Sequence, residues 1–352
     1  MKIAVILPAL VNSGPTIVAR DIINNIVNDV ELIDVFYFDE FVELEFPCNT
    51  QKISFWESID FDKYDIIHTH MLRPDAYVWK NKNKIKKAVL ISTLHQDIKE
   101  NLKGNYNLFT AVIFEKIWLY LLRCQFGVVT LTETMRNQYS GRLKNEIIKT
   151  IYNGRDIKIN ENNIIPDDDN TKIENLRAKY KLIGAFALLT RRKGIHEIIN
   201  ALIDAPDFAL LVIGDGKEKD SLIKLAKENN VFDRCLFLGY VNQAYRYLSY
   251  IDIYAMPSIS EGFSLSVLEA ANYKRTIICS DIPLFREIFS EEEVVFFELN
   301  NPKSLARSLH FAIQNKEMLS TNVFRKVQEK YSVKAMCQKY MDLYKSALNI
   351  NM

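Results

Sequence analysis

Two glutamates, Glu261 and Glu269, stand eight positions apart in Ser260-Glu261-Gly262-Phe263-Ser264-Leu265-Ser266-Val267-Leu268-Glu269-Ala270. Small, turn-prone residues open the segment and apolar ones follow, so Glu261 falls on a loop at a helix entrance. Glu269 comes about two helical turns later, near the same face. Backbone N–H groups at a helix N-terminus attract anions such as phosphate. A carboxylate there would repel a phosphate unless it served hydroxyl groups, and sugar and ribose hydroxyls beside a diphosphate meet that need. Taken alone, the spacing also describes two solvated carboxylates on a helix face.

Other segments carry related chemistry. Thr190-Arg191-Arg192-Lys193-Gly194 precedes a helical pattern of Ile195, Ile198, Ile199 and Leu202. Three cations at a helix start oppose its macrodipole and call for an anion, although a solvated basic turn reads the same way. Asn12-Ser13-Gly14-Pro15-Thr16 follows the first apolar run. Proline suits the first helical position and glycine lets a ligand approach the backbone, as in a phosphate loop; a plain strand-to-helix turn is the alternative. The three-glycine dinucleotide fingerprint is absent, which counts against a nicotinamide enzyme. His68-Thr69-His70 and Thr93-Leu94-His95-Gln96-Asp97 each close a strand. Histidines at such tips commonly hydrogen-bond neighbouring loops, and no i, i+4 spacing or carboxylate partner marks a metal site. Ile213-Gly214-Asp215-Gly216 and Leu238-Gly239-Tyr240-Val241 end two later strands, and Tyr152-Asn153-Gly154 ends the first half. Glycine after a strand is ordinary turn chemistry.

The elements that must position these residues alternate in both halves, short apolar runs with helical patterns, which argues for parallel sheets covered by helices. Strands are expected at 2–7, 33–38, 66–70, 89–94 and 127–130, then at 184–188, 209–213, 235–238, 253–256, 276–279 and 294–297. The polar stretch from Arg155 to Asn170 reads as an exposed linker. Residues 332–348 carry apolar positions at helical spacing. In doubly wound domains ligands bind at the carboxyl ends of the strands.

A length of 352 residues accommodates two domains of ordinary size. With 48% apolar and 25% charged residues the chain is of the soluble globular kind, and a net charge of +1 supplies no global field for nucleic acid. The five cysteines are scattered without a Cys-x-x-Cys pair, which favours free thiols in a reducing cytoplasm. The opening run Ile3-Ala4-Val5-Ile6-Leu7 breaks at Pro8 without a small-x-small cleavage pattern, so a buried strand is expected rather than a signal peptide. The longest apolar stretch, Leu108 to Phe126, is interrupted by Glu115, Lys116 and Arg123, so no membrane span is expected. Lys80, Lys82, Lys84, Lys86 and Lys87 follow Tyr77 and Trp79. Such a run suits either a solvated face or an anionic lipid surface.

The run from Tyr250 to Glu287 joins these pieces. Asp252-Ile253-Tyr254-Ala255-Met256-Pro257-Ser258, the two-glutamate segment, Ile277-Ile278-Cys279-Ser280-Asp281 and Arg286-Glu287-Ile288 occur in that order. Together they resemble the signature of retaining glycosyltransferases of family 4, of the bacterial surface-polysaccharide type. The resemblance covers almost the whole chain, most strongly from Lys193 to Ile288. It implies an α/β protein of the GT-B fold, two doubly wound Rossmann-like domains facing one cleft. The domains would be an acceptor-binding domain over 1–155, a linker over 156–180, a nucleotide-sugar-binding domain over 181–331 and a C-terminal helix over 332–352 crossing back to the first domain.

The activity implied is transfer of a sugar, with retention and without metal or cofactor, from a UDP- or GDP-sugar to a saccharide acceptor, lipid-linked through polyprenyl diphosphate. Capsule, O-antigen or exopolysaccharide synthesis, in the cytoplasm or peripherally at the inner face of the cell membrane, would be its setting. Carried over residue by residue, Glu261, His95 and Lys193 are catalytic. Donor binding falls to Gly14, Arg191, Arg192, Lys193, Gly214, Tyr240, Gly262, Phe263, Ser264, Leu265 and Glu269. In that scheme Glu261 holds the hydroxyls of the donor sugar, Glu269 the ribose and Lys193 the diphosphate, and His95 lies beside the transferred sugar and acceptor. Two departures stand out. Ser13 replaces a usual glycine, and Ala185-Phe186-Ala187 occupies the place of a usual arginine, a charge that Arg191 or Arg192 would have to supply. Rival classes are a GT-B nucleotide-sugar epimerase, a non-catalytic nucleotide-sugar-binding subunit, and a metal-dependent GT-A enzyme using Asp60-Phe61-Asp62 or Asp167-Asp168-Asp169.

Overall fold

A computed structural model describes residues 1–98, 108–157 and 164–351. The chain divides into two compact units. The first comprises residues 1–155 with 331–352, and the second residues 156–330.

The sheet of the first unit consists of β1 (Lys2–Leu7), β2 (Leu32–Tyr37), β3 (Asn49–Lys52), β4 (Ile66–His70), β5 (Val89–Leu94), β6 (Gly127–Thr130) and β7 (Ile147–Thr150). Its order is β3-β2-β1-β4-β5-β6-β7, with every pair parallel. The central strands are rich in apolar residues because helices cover both faces, although β4 ends in His68-Thr69-His70 and β5 carries Ser92 and Thr93. Ile3, Val5, Ile67 and Ile91 are accordingly buried. The last helix, Val333–Asn351, packs on the helix Gly14–Ile26 and on β5. Gly154 makes the junction between the two parts of this unit possible. A Cβ there would lie 2.3 Å from the Ser332 carbonyl oxygen, and the neighbouring Arg155 N–H donates to Tyr331 O at 3.0 Å. The Asn153-Gly154 pair thus serves chain packing.

The second unit holds β8 (Lys181–Phe186), β9 (Phe208–Ile213), β10 (Cys235–Gly239), β11 (Ile253–Met256), β12 (Thr276–Ser280) and β13 (Val295–Phe297). The order β10-β9-β8-β11-β12-β13 is again wholly parallel. β8 and β11 are therefore neighbours although β9 and β10 lie between them in sequence. The two strand orders, with reversal beside β1 and β8, make each unit doubly wound.

Three expectations need correction. β8 starts at Lys181 rather than Gly184, because Asp252 accepts from the Leu182 N–H at 3.0 Å and anchors the earlier residues to the sheet. β3 and β7 were not expected. The first is polar and wholly exposed at a sheet edge and the second only half buried, so neither carries an apolar run. Within the stretch read as linker, residues 167–177 form a helix of the second unit, while 158–163 lie outside the described residues. Its three aspartates occupy the first turn, where the macrodipole favours them. Ile173 is fully buried, Asp168 pairs with Lys172 at 2.5 Å, and Asp169 accepts from the Tyr247 hydroxyl. That structural use removes the Asp-x-Asp reading of this segment.

Candidate active site

In the second unit the loops after β8 and β11 meet, since the two strands are adjacent. The first carries Arg191–Lys193 as a short 3-10 turn, closed by Gly194 in the left-handed region. The second carries Pro257 to Ser264. The Ile259 N–H donates to Arg192 O at 2.8 Å, tying the two loops by their backbones. Gly194 has φ +69°, and an added Cβ would fall 1.8 Å from the Pro257 carbonyl oxygen. Two independent constraints thus require glycine. Gly194→Ala is expected to destabilise the fold by more than about 2 kcal/mol. A thermal melt within a degree of wild type would refute this.

Glu261 sits where these loops meet, its side chain only 7% exposed. Oε1 accepts from Lys193 Nζ at 2.5 Å and from Ser258 Oγ at 2.6 Å. Oε2 lies 3.3 Å from Arg192 Nη1, which also donates to Ser260 O at 2.5 Å. Burial by itself would raise the carboxyl pKa, but the charges of Lys193 and Arg192 and the hydrogen bonds outweigh it and hold it below the ordinary value. Glu261 is therefore an ionised carboxylate fixed among cations. It can accept hydrogen bonds from ligand hydroxyls without reorganising.

Ser264 takes the N-cap position of the helix Leu265–Asn272, its hydroxyl 2.9 Å from Ser266 Oγ, and Glu269 lies on that helix. Gly262 and Phe263 are buried and Leu265 is half-buried. Tyr254, on β11, relates the two glutamates. Its buried phenol has a raised pKa, chiefly through burial, and the charges of both Glu269 and Glu261 add to the rise. Arg191, in contrast, is exposed, and its charge helps to lower the pKa of His196.

Gly214 and Gly216 have φ +137° and +153°, and an added Cβ would collide with the Ala187 and Leu189 carbonyls at 1.9 and 2.5 Å. They let the loop after β9 lie against the loop after β8, where Leu189 N–H donates to Asp215 O at 2.8 Å. Tyr240, beyond β10, is 61% exposed. To the donor-binding role expected for Gly214 the structure adds close packing against the loop after β8.

In the first unit Gly14 opens the helix Gly14–Ile26 with Pro15 in the first turn. A Cβ on Gly14 would meet nothing within 4 Å, so glycine there leaves open space at a helix N-terminus rather than relieving a clash. His95, beyond β5, is buried, its Nε2 2.7 Å from Nδ1 of His70 and the rings stacked at 5.0 Å. His68 lies between Thr93 Oγ1 and the Tyr344 hydroxyl, both at 2.8 Å. Burial lowers all three imidazole pKa values, those of His68 and His95 to about 3, so the rings are neutral near pH 7. A neutral His95 can exchange a hydrogen bond with a ligand but supplies no positive charge.

That arrangement sets a pH dependence. The unfolded chain binds protons on these histidines below about pH 6.5, whereas the folded chain resists until about 3 for His68 and His95. Stability should be level above pH 6.5 and fall as pH drops below it, by up to ~1.4 kcal/mol per pH unit for each such group. Urea midpoints equal at pH 7.5 and 5 would contradict this.

Sequence reasoning put Glu261 on a loop at a helix entrance and Lys193 after a strand, and it did not anticipate their direct ion pair. Ser258 and Tyr254 were missed as site residues. Their only signal was membership of the strand-proline segment before the glutamates.

Two family models match the chain. Glycosyl transferases group 1 matches residues 166–326 and Glycosyltransferase Family 4 residues 32–159. The chain is 29% identical to the O-antigen biosynthesis glycosyltransferase WclY of Escherichia coli, over 98% of both chains. It is 23% identical to the UDP-Gal:alpha-D-GlcNAc-diphosphoundecaprenol alpha-1,3-galactosyltransferase of Escherichia coli, over 83% of this chain and 78% of that one. Among solved structures, Anabaena Alr3699/HepE in complex with UDP and glucose superimposes with a TM-score of 0.80 at 17% identity, covering 98% of this chain and all of the other. The sucrose-phosphate synthase of Thermosynechococcus elongatus does so with 0.80 at 20% identity, covering 99% of each. The fold is GT-B.

Proposed function

We propose that this chain, which belongs to the family 4 glycosyltransferases, transfers a sugar from a nucleoside-diphosphate sugar to a saccharide carried on polyprenyl diphosphate, with retention of configuration and without a metal. The observation that carries the donor half is the buried, ionised Glu261 held between Lys193 and Arg192. One group of charges thereby offers an acceptor for sugar hydroxyls and cations for a diphosphate. With donor bound, Lys193 and Arg192 take the phosphate oxygens, Glu261 the sugar hydroxyls and Glu269 the ribose. Stabilisation of the departing nucleoside diphosphate by fixed cations is then the main catalytic device. The leaving phosphate accepts the acceptor's proton in a front-face attack.

UDP is the nucleotide in the HepE complexes and in the donor named for the Escherichia coli galactosyltransferase, which supports a UDP-sugar as donor. That relative's diphosphoundecaprenol acceptor and the O-antigen role named for WclY support a lipid-linked glycan and O-antigen synthesis. A lipid-linked acceptor places the enzyme peripherally at the inner face of the cell membrane. A panel of UDP- and GDP-sugars, each with and without a polyprenyl-diphosphate saccharide and EDTA, tests all of this. Acceptor-dependent UDP release, unaffected by EDTA, with an α-linked product from an α-linked donor, is expected. Interconversion of nucleotide sugars without acceptor would instead identify an epimerase.

A further inference from the structure

The helix Leu108–Leu121 is apolar on two opposite sides. Ala111, Trp118, Leu119 and Leu121 are buried within the first unit, while Phe109, Ile113, Phe114, Ile117 and Tyr120 are between 37% and 76% exposed. Phe109, Ile113, Ile117 and Tyr120 follow one another at spacings of four, four and three, which aligns them along three turns. Single exposed apolar residues are ordinary, but a contiguous row marks an interaction surface.

Cations and aromatic rings border the row. Lys116 lies within it, exposed. The Arg123 guanidinium sits 5.6 Å from the Tyr120 ring, the Trp79 ring 5.9 Å from the same ring, and Lys82 Nζ 4.7 Å from the Trp79 ring. The helix's single acidic residue, Glu115, lies on its buried side, paired with Arg142 at 2.8 Å. An apolar stripe edged by interfacial aromatics and by cations, without an exposed carboxylate on the same helix, is complementary to an anionic lipid surface. Among the described residues no helix is long and apolar enough to cross a membrane, so the contact is one of lying on the surface.

We propose that the helix Leu108–Leu121 is the membrane anchor, with the row from Phe109 to Tyr120 at the acyl boundary and Lys82, Lys116 and Arg123 at the headgroup phosphates of an anionic bilayer. This rests on the proposed lipid-linked acceptor and takes only Lys82 from the lysine run. Within that run Lys80 stands over the Trp56 ring at 4.6 Å and Lys84 donates to Ser58 Oγ at 2.6 Å.

The full chain should co-sediment with phosphatidylcholine vesicles containing phosphatidylglycerol, and about tenfold or more less with phosphatidylcholine alone. Ile113→Ser/Ile117→Ser should lower partitioning about tenfold or more at any salt, and Lys116→Gln/Arg123→Gln about as much at low salt only. Brominated lipids should quench the wild-type emission, and Trp79→Phe should remove most of that quenching, a readout that needs no destabilised variant. The anchor is overturned if wild type binds neither vesicle, if the isoleucine variant binds as wild type does, or if Trp79 is not quenched. It is also overturned if wild type is a dimer on sizing that the isoleucine variant dissolves, since a second copy would then cover the row. Transfer to a soluble short-chain acceptor should be unchanged in both double variants. Absent transfer with intact vesicle binding would refute the proposed function and leave the anchor standing.

Discussion

Glu261→Ala should remove most turnover, about 10²- to 10³-fold in kcat, the range for losing one preorganised polar group at a reacting centre. Glu269→Ala should instead raise KM for the donor with kcat little changed. A ribose is bound alike in ground and transition states, whereas the sugar whose bond breaks is not. The structure sharpens the expectation for Glu261, because it also ties Lys193 and Arg192 in place. Its removal leaves two partly buried cations without their carboxylate, so some loss of stability accompanies the loss of rate. Glu261→Gln separates the two effects. It keeps the side chain's shape and an oxygen for the Ser258 hydroxyl, so a folded glutamine variant that remains inactive assigns the loss to the charge. Equal, small changes in kcat/KM for Glu261→Ala and Glu269→Ala would remove both residues from the donor site.

Lys193→Ala carries the second large effect, about 2–4 kcal/mol of transition-state stabilisation, or roughly 30- to 1000-fold in kcat/KM. Sequence reasoning left open whether Arg191 or Arg192 supplies the second charge in place of the family's absent arginine. The structure favours Arg192, which reaches the Glu261 carboxylate and the Ser260 carbonyl, while Arg191 is exposed. Arg192→Ala should therefore resemble Lys193→Ala, and Arg191→Ala should stay within a few-fold of wild type. A large loss at Arg191 with none at Arg192 would reverse that assignment. Full activity in all three variants would place the phosphate site elsewhere. Steady-state kinetics with a saturating acceptor measures each case.

Much of this was legible in the chain itself, for a physical reason. A strand buried on both faces of a parallel sheet carries a short apolar run, followed by polar residues in β4, β5 and β6, so these strands, β1 and β11 could be placed to the residue. Proline at a helix start and glycine at a left-handed turn are also local requirements, which is why Pro15 and Gly194 stand where backbone geometry demands them. Edge strands have one partner and little cover, so the polar Asn49–Lys52 left no such trace.

The chemistry of the site divides along the same line. Residue types and local spacing determined that a carboxylate would stand at a helix entrance and that cations would follow a strand. That Glu261 and Lys193 are bonded across 68 residues depends on β8 and β11 lying side by side. That adjacency results from how the sheet is wound, and no local pattern encodes it. The same holds for His68, whose partner Tyr344 lies 276 residues away, and for the row from Phe109 to Tyr120. A helix apolar on two opposite sides reads in sequence as a core helix. Only the packed structure decides that one of those sides is exposed among the described residues.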